Sequence, residues 1–490
     1  MKPAPQQIST LAPIIAANGM FLLILGVTEL FIGLVDYAAG QGHSSPFLIS
    51  GLITTTIGVV ALYLNGEPGE PATMSRRQVF ATLISAWLSA CLAAALPFML
   101  GAPHLTFSFA VFESVSALTT TGATVMTGLD NMPKSILFFR SILHWYGGMG
   151  VIIGAIVLFP AMRVGGMQLF VRAGFENHDK FLPSARAVAL ATFLAYSLVT
   201  LICAIGLTIS GIGGFDSVNL SMSIMATGGM AVSDSSFGNY GVASHWIATF
   251  FMMIAGMPLI TTVLFLRGNL KAFAEDLQIR AFLIVYFTIF IGILAYRVYD
   301  AQGSAFEMTT TVAFNTASML TGTGLTNGDF QLWGSFPTML LFMAMLIGGC
   351  TGSTAGSVKI FRYQVLIELI RVRIKAIHHP HGVFTPKYGG QKLDDNVIES
   401  VAAFFVIYLA TLAVLTISFD IWGLDLLTGF SAAVSAVGNV GPGLGDVIGP
   451  VGNYSSFNLG ELWTYTTCMI VGRLEFMAIM VIVLPRFWKH

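Results

Sequence analysis

The sequence predicts an all-α, polytopic membrane protein with two leading transmembrane helices followed by four copies of one pattern. The first observation is composition: 55% of the 490 residues are hydrophobic and 10% are charged. A soluble domain carries about 25% charged residues. The second observation is a short glycine-centred polar loop that recurs within apolar sequence, at Gly122, Gly229, Gly324 and Gly441. The chain is therefore expected to cross a membrane repeatedly around a repeated polar element.

Ten segments are apolar enough to be spans, which need about 20 residues. Two lead, at 11–37 and 46–64. The first is longer than the apolar core of a signal peptide, so we expect it to be retained. Each copy of the pattern then contributes a pair: 78–99 with 135–161, 187–211 with 243–266, 281–299 with 336–363, and 397–423 with 462–486.

A short apolar segment follows the first span of each copy, at 107–119, 216–226, 305–320 and 425–437. These segments are too short to cross a bilayer, so we interpret them as re-entrant helices shielded by protein. The predicted divisions are 1–70 for the leading helices and 71–175, 176–275, 276–392 and 393–490 for the four repeats.

Basic residues predict the orientation, because they are enriched in cytoplasmic loops. All of the 23 Lys and Arg residues except Lys134, Arg140, Arg297 and Arg473 fall in the termini and the loops between repeats. Both termini are then cytoplasmic, and the glycine loops open outwards. The outer loops carry acids, which either form a cation-attracting vestibule or are ordinary acids at helix starts: Asp130, Asp216, Asp234, Asp300, Asp329 and Asp446.

The four glycine loops have the properties of an ion-selectivity filter. Backbone carbonyls in such a loop replace the water shell of an ion. The preceding short helix directs its negative C-terminal end at the loop, and glycine permits a positive φ. Glycine at all four central positions favours potassium over sodium; the alternative is four simple turns. The candidate potassium-binding residues are Thr120, Thr121, Gly122, Thr227, Gly228, Gly229, Gly322, Thr323, Gly324, Asn439, Val440 and Gly441. We call the loops filter loops 1 to 4 and the short helices pore helices 1 to 4.

Two stretches carry a family resemblance: the run from Phe112 to Thr124, and Arg140 followed by Trp145-Tyr146-Gly147-Gly148-Met149-Gly150. With Asn439-Val440-Gly441-Pro442-Gly443 and the two leading spans, the chain resembles the Trk/Ktr/HKT superfamily of potassium transporters, and within it the bacterial TrkH/TrkG-like pore subunits. The resemblance implies four pseudo-symmetric span–pore helix–filter loop–span repeats around one pore. It also implies a homodimer in the bacterial inner membrane.

The same resemblance implies a TrkA-like cytoplasmic partner, a nucleotide-binding ring that controls the gate. Nucleotide would then act only through this partner, for which the basic loop from Arg371 to Lys392 is one contact. We expect no covalent cofactor and no nucleic-acid partner, and potassium is the substrate ion.

The second span of repeat 3 is interrupted by small and hydroxyl-bearing residues, which we call the gate loop: Gly348, Gly349, Cys350, Thr351, Gly352, Ser353, Thr354, Ala355, Gly356 and Ser357. Non-helical backbone at membrane depth persists only where protein or a water-filled cavity satisfies it. A flexible segment below a filter is a natural gate, and the resemblance implies that it plugs the pore. The alternative is a packing kink.

Arg473 lies in the middle of the last predicted span. A central arginine costs about 2.5–3.5 kcal/mol on insertion scales, so it should face a cavity or a partner. We expect it in the pore below the filter, near the gate loop, as an electrostatic barrier to cations. The alternative is a pair with Glu475 or another buried acid, although residues two apart do not face each other on a helix.

Other polar residues have structural interpretations. Glu113 and Glu307 are expected to favour the N-terminal ends of pore helices, and Arg140 is expected to brace a pore helix or its acid. The group His378, His379 and His381 matches no ordered zinc pattern. The four cysteines, Cys91, Cys203, Cys350 and Cys468, form no CxxC pair.

The predicted function is potassium uptake through a selective, gated, channel-like pore. One alternative is a symporter coupled to protons or sodium on the same scaffold, for which Glu29 and Asp36 are the candidate carboxylates. Another is a membrane enzyme, which should show a clustered nucleophile or metal set. An unrelated carrier would more often show inverted repeats. We predict no enzymatic activity.

Overall fold

The computed structural model describes residues 11–66, 74–157, 185–300 and 304–474. The leading helices, Ala12–Ala38 and Ser44–Asn65, form an antiparallel hairpin. They approach closely because small residues face each other: a side chain at Gly26 would lie 2.5 Å from the Thr55 backbone nitrogen, and one at Gly58 would lie 2.7 Å from that of Leu23.

The remaining helices follow the predicted order of span, pore helix and span. Those of repeat 1 are Arg76–Leu100, Phe107–Leu118 and Lys134–Val157. Those of repeat 2 are Ala185–Ile209, Gly214–Met225, Val242–Ala255 and Leu259–Leu266, followed by the short connector Leu270–Glu275. Those of repeat 3 are Leu277–Tyr299, Ala305–Thr321, Ser335–Ile347 and Ile360–His378. Those of repeat 4 are Asp395–Trp422, Leu426–Gly438 and Leu459–Arg473. Short 3-10 turns lie at Leu129–Asn131 and Phe330–Trp333.

The pore helices are enclosed by protein, as their length predicts. Every residue from Ala110 to Leu118 of pore helix 1 is buried. Each pore helix packs against the spans of its own repeat and also against the second span of the preceding repeat. Pore helix 2 packs on Lys134–Val157, and pore helix 1 closes the circle by packing on Leu459–Arg473. The four units are therefore arranged in a ring.

The prediction of one continuous span at 243–266 is wrong. Six of the described helices are long and apolar enough to span a membrane, or seven if one bent pair counts as a span. That pair is Val242–Ala255 and Leu259–Leu266, which was predicted as one span and bends by 107°. Pro258 causes the break, since it has no N–H to donate and closes the helix before it. The predicted interruption of the span at 336–363 is confirmed, because the gate loop separates Ser335–Ile347 from Ile360–His378.

The predicted ends of two spans, at 161 and 486, lie outside the described residues. The loop after Ile360–His378 departs from the all-α prediction through a small hairpin of strands Lys387–Tyr388 and Gln391–Lys392. Tyr388 packs edge-on against Phe361, and its hydroxyl donates to Gln364 Oε1 at 3.1 Å. The hairpin therefore rests on the helix that begins directly after the gate loop.

Candidate functional site

The four filter loops leave their pore helices through the same hydrogen bond. In each, the N–H of the residue before the central glycine donates to the carbonyl of a pore-helix serine at 2.9 to 3.0 Å. The pairs are Thr121 with Ser116, Gly228 with Ser223, Thr323 with Ser318, and Val440 with Ser435. The four loops therefore leave their pore helices in the same way, although their sequences differ at most positions.

The backbone conformation of the loops is also repeated. The central glycines have φ of +81°, +80°, +75° and +104°, in chain order. Two residues earlier φ is again positive, at Thr120, Thr227, Gly322 and Asn439. A positive φ costs a non-glycine residue about 1–3 kcal/mol, and such strain is concentrated at functional sites. Three of these four positions carry that cost.

The loops close into a ring at the central glycines. A side chain on Gly122 would collide with the carbonyl oxygen of Gly228 in loop 2. In the same way, a side chain on Gly229 would collide with the carbonyl oxygen of Thr323, one on Gly324 with that of Val440, and one on Gly441 with that of Thr121 in loop 1. Each carbonyl belongs to the residue before the next central glycine. Four equivalent carbonyls therefore lie side by side, in the arrangement that dehydrates a cation.

A buried ion pair braces loops 1 and 2 from behind. Arg140 Nε donates to Glu113 Oε1 at 2.8 Å, and both side chains are at most 1% exposed. The other guanidinium nitrogens donate at 3.0 Å to Thr124 Oγ1 of loop 1 and to the Ala231 carbonyl beyond loop 2. Glu113 also accepts from the Thr124 hydroxyl and the Val125 N–H. The expectation that Arg140 braces an acid is confirmed.

The interpretation of Glu113 as a helix-start acid is wrong, because it lies past the first turn of pore helix 1 and its charge is held by Arg140. Glu307 does lie in the first turn of pore helix 3, behind the capping hydroxyl of Ser304.

Sequence reasoning missed His144, a fully buried residue of helix Lys134–Val157. Its Nδ1 lies 2.5 Å from the Ala117 carbonyl, and its Nε2 lies 3.2 Å from the Met230 nitrogen. The carbonyl requires a proton on Nδ1, and the N–H of Met230 requires a free Nε2. The neutral ring therefore ties pore helix 1 to filter loop 2. A lone histidine among apolar residues was the available signal.

The gate loop lies beneath the filter and is attached to three repeats. The Thr354 hydroxyl reaches the carbonyls of Met225 at 3.1 Å and Ala255 at 3.2 Å. Met225 is the last residue of pore helix 2, whose terminal carbonyls have no helical partner. The Ser357 N–H donates to the carbonyl of Gly438, the last residue of pore helix 4, at 3.1 Å.

The break in repeat 2 supplies further partners for the gate loop. The Cys350 N–H donates to the Gly256 carbonyl at 2.9 Å, and the Leu259 N–H donates to the Gly352 carbonyl at 3.0 Å. In its own repeat, the Thr351 N–H donates to Gln278 Oε1 at 2.9 Å. The loop is thus held by hydrogen bonds, which satisfies its backbone at membrane depth.

Arg473 lies directly beside the gate loop. It donates to the carbonyl of Thr354 at 3.0 Å and to that of Gly147 at 3.2 Å, and it is buried. Both partners are backbone oxygens, so these bonds leave its charge unneutralised. The alternative partner Glu475 lies outside the described residues.

The predicted outer acids are partly engaged in structural bonds. Asp234 accepts from the Leu129 N–H, and Asp216 accepts from the Tyr240 hydroxyl at 3.4 Å. Asp216 also lies in the first turn of pore helix 2, as the alternative interpretation predicts.

The described residues contain no group of three His, Cys, Asp or Glu side chains that could hold a metal ion. His378, His379 and His381 are exposed at and after the end of helix Ile360–His378.

Known proteins of similar sequence and structure are cation and potassium transporters. Residues 43–489 match the family model described as "TrkH: Cation transport protein". The chain is 36% identical over 482 residues to the Trk system potassium uptake protein TrkI of Halomonas elongata, covering 98% of this chain and 97% of that protein. It is 32% identical over 479 residues to the Trk system potassium uptake protein TrkH of Escherichia coli K12, covering 96% and 98%. The crystal structure of the potassium transporter TrkH from Vibrio parahaemolyticus superposes with a TM-score of 0.88 at 30% identity, covering 97% of this chain and 99% of that one.

Proposed function

Since this chain belongs to the TrkH family of cation transport proteins, we propose that it takes up potassium through a gated pore formed by its filter and gate loops. Its function is potassium transport across a membrane. The observation that carries the mechanism is the closed ring at the four central glycines, in which each loop presents a carbonyl beside the next. Such a ring replaces the hydration shell of the ion without any covalent chemistry.

The candidate filter residues divide by role along each loop. The residue before each central glycine supplies the ring of carbonyls, and the glycine leaves room for the carbonyl of the neighbouring loop. The residue two positions earlier, at positive φ, turns the chain from the pore helix into the filter. The negative ends of the pore helices add an attraction for a cation at the same place.

The gate loop and Arg473 close the path below the filter. Loop residues from Gly348 to Ser357 bind the ends of pore helices 2 and 4, and Arg473, which has no acidic partner among the described residues, adds a positive charge at Thr354. A cation leaving the filter meets both the loop and this charge. Opening requires the loop to exchange these hydrogen bonds for others or for water.

We further place the protein in a bacterial inner membrane as a homodimer, with both termini cytoplasmic and a TrkA-like nucleotide-binding ring as its regulator. The structure suggests a route for this control. Helix Ile360–His378 follows the gate loop and ends in the exposed basic segment. Its first residue is bonded to the gate loop, because the Ile360 N–H donates to the Gly349 carbonyl. A partner that moves this helix or the hairpin resting on it would pull on the gate loop. Nucleotide acts through that partner, and the chain itself catalyses no reaction.

Coupled symport is the alternative on this scaffold. Glu29 is completely buried in the first helix, where the Thr54 hydroxyl donates to Oε2 at 3.4 Å and Oε1 has no partner among the described residues. Asp36 accepts from the His43 N–H at 2.9 Å. Both lie in the leading hairpin, outside the four repeats, so we favour the channel-like mechanism.

Cation flux into proteoliposomes that hold the purified protein tests the proposal. Potassium, rubidium, sodium and lithium are compared at zero and at imposed pH gradients. We expect potassium and rubidium to follow their own gradients. Potassium uptake that requires a proton or sodium gradient would instead establish symport. No cation flux, with or without a nucleotide-binding partner, would contradict the proposal.

A further inference from the structure

The four pore helices carry a serine at the same position, but only one of these serine hydroxyls is engaged. Ser116, Ser223, Ser318 and Ser435 all lie behind the filter and are fully buried. Within the described residues, the hydroxyls of the first three have no hydrogen-bond partner. The Ser435 hydroxyl donates to the carbonyl of the central glycine of its own loop, Gly441, at 2.8 Å.

Two tyrosines join Ser435 at this carbonyl. The Tyr454 hydroxyl lies 2.5 Å and the Tyr465 hydroxyl 3.2 Å from the Gly441 oxygen. Tyr465 also lies 2.9 Å from both the Ser435 and the Tyr454 hydroxyls. A carbonyl oxygen accepts at two lone pairs. Two of the three hydroxyl protons therefore go to Gly441, and the third goes to a neighbouring hydroxyl, which occupies the oxygen completely.

The three hydroxyls lie on the side of loop 4 away from the ion path. Ser435 is within pore helix 4, and Tyr465 is on the last described helix, which packs behind it. The rings of Tyr454 and Tyr465 each lie 5.6 Å from that of Phe112 in pore helix 1. The cluster thus fills the seam between repeats 4 and 1, and the Gly441 carbonyl is directed into that seam.

We propose that Ser435, Tyr454 and Tyr465 are positioning residues that hold the Gly441 carbonyl out of the ion path and so set the preference among alkali cations. The layer of the filter formed by the central-glycine carbonyls then offers at most three oxygens. An ion is held less tightly in this layer than in the complete ring below it, which favours its passage. This inference rests on the proposed function.

The repeats themselves make the asymmetry informative. The first three serines have the same buried position without the bond, so the serine alone does not draw a carbonyl backwards. The two tyrosines are the difference at repeat 4. Neither tyrosine belongs to filter loop 4, since Tyr454 and Tyr465 both lie well beyond Gly441 in the sequence.

The test compares ion selectivity in reconstituted full-length protein. The triple variant Ser435→Ala, Tyr454→Phe and Tyr465→Phe removes the three hydroxyls and keeps the rings. Tyr408→Phe is the matched control, because Tyr408 is buried and its hydroxyl has no partner within the described residues. The readout is the potassium-to-sodium permeability ratio in proteoliposomes, measured beside total potassium flux.

We expect the released carbonyl to turn towards the ion and raise the ratio about fivefold in the triple variant, with no change in Tyr408→Phe. An unchanged ratio, or a lower one, would overturn the inference. If the triple variant does not fold, Tyr454→Phe alone decides by the same criterion, with an expected rise of about twofold. Absence of potassium flux in the unmodified protein would instead contradict the proposed function, so the two failures are distinguishable.

Discussion

The filter consists of four equivalent loops, whereas the gate loop beneath it is a single element with dissimilar contacts. Four filter loops repeat one hydrogen bond to a pore-helix serine and one pair of positive φ angles. The gate loop occurs once and is bonded to three different repeats by contacts that do not resemble one another. Coordination of a monovalent ion needs equivalent oxygens from several sides. Regulation needs one element whose bonds can be broken without dismantling those oxygens.

The two regions also differ in what holds them. The filter is fixed by backbone geometry and by the buried pair of Arg140 with Glu113. The gate loop is held mainly by single hydrogen bonds, each worth about 0.5–1.5 kcal/mol. Substitutions in the filter should therefore abolish function or stability, whereas substitutions at the gate should shift an equilibrium.

The largest effect is expected from Gly122→Ala. Its methyl group would collide with the Gly228 carbonyl in the ring, so potassium flux should be abolished in protein that still assembles. Gly128→Ala is the control, because Gly128 has a similar φ of +70° and open space around it. Flux per reconstituted protein measures both. Equal flux in the two variants would show that close approach of the loops is not required for conduction.

A second large effect is expected from Arg140→Gln. It leaves Glu113 charged and buried without its partner, and breaking such a pair costs about 3–5 kcal/mol. The free energy of unfolding, measured by denaturant titration in detergent, should fall by that amount. Arg371→Gln, at an exposed pair 3.9 Å from Glu368, should cost less than about 1 kcal/mol. Similar losses in both would mean that the brace is not a principal support of the filter.

The filter is also more predictable from the sequence than the gate loop is. Span lengths and glycine loops are local signals, so the pore helices and filter positions are predictable from apolar run length and composition. The bend at Pro258 is hidden, because hydropathy stays high on both sides of it. The sequence indicates that Arg140 braces an acid, but the partners of His144 and Tyr465 come from another repeat or from distant positions, and no spacing along the chain indicates them.

The gate shows this limit most clearly. Its small residues mark an interruption, but they do not indicate that Thr354 meets the end of pore helix 2 or that Arg473 donates to Thr354. These contacts depend on how three repeats close around the axis. No single segment of the sequence indicates these contacts. The filter loops differ in this respect, because their fourfold recurrence in the sequence indicates that they come together.

A smaller effect, and the one that separates the two regions most sharply, is expected from Arg473→Gln. The change removes the positive charge beside the gate loop and weakens the bonds to the carbonyls of Thr354 and Gly147. Hydrogen bonds from a charged donor contribute about 1.5–3 kcal/mol. Loss of about 1.4 kcal/mol from the barrier would raise potassium flux about tenfold.

Selectivity should stay unchanged in this variant, because no filter carbonyl is touched. Thr354→Val, which removes the hydroxyl contacts with the Met225 and Ala255 carbonyls while keeping the charge, should raise flux by about fivefold or less. Thr416→Val is its control, since the Thr416 hydroxyl bonds only within its own helix, to the Leu412 carbonyl. If Arg473→Gln left flux unchanged, the charge would not be part of the gate. If it altered the potassium-to-sodium ratio, filter and gate would be one coupled unit rather than two regions on different plans.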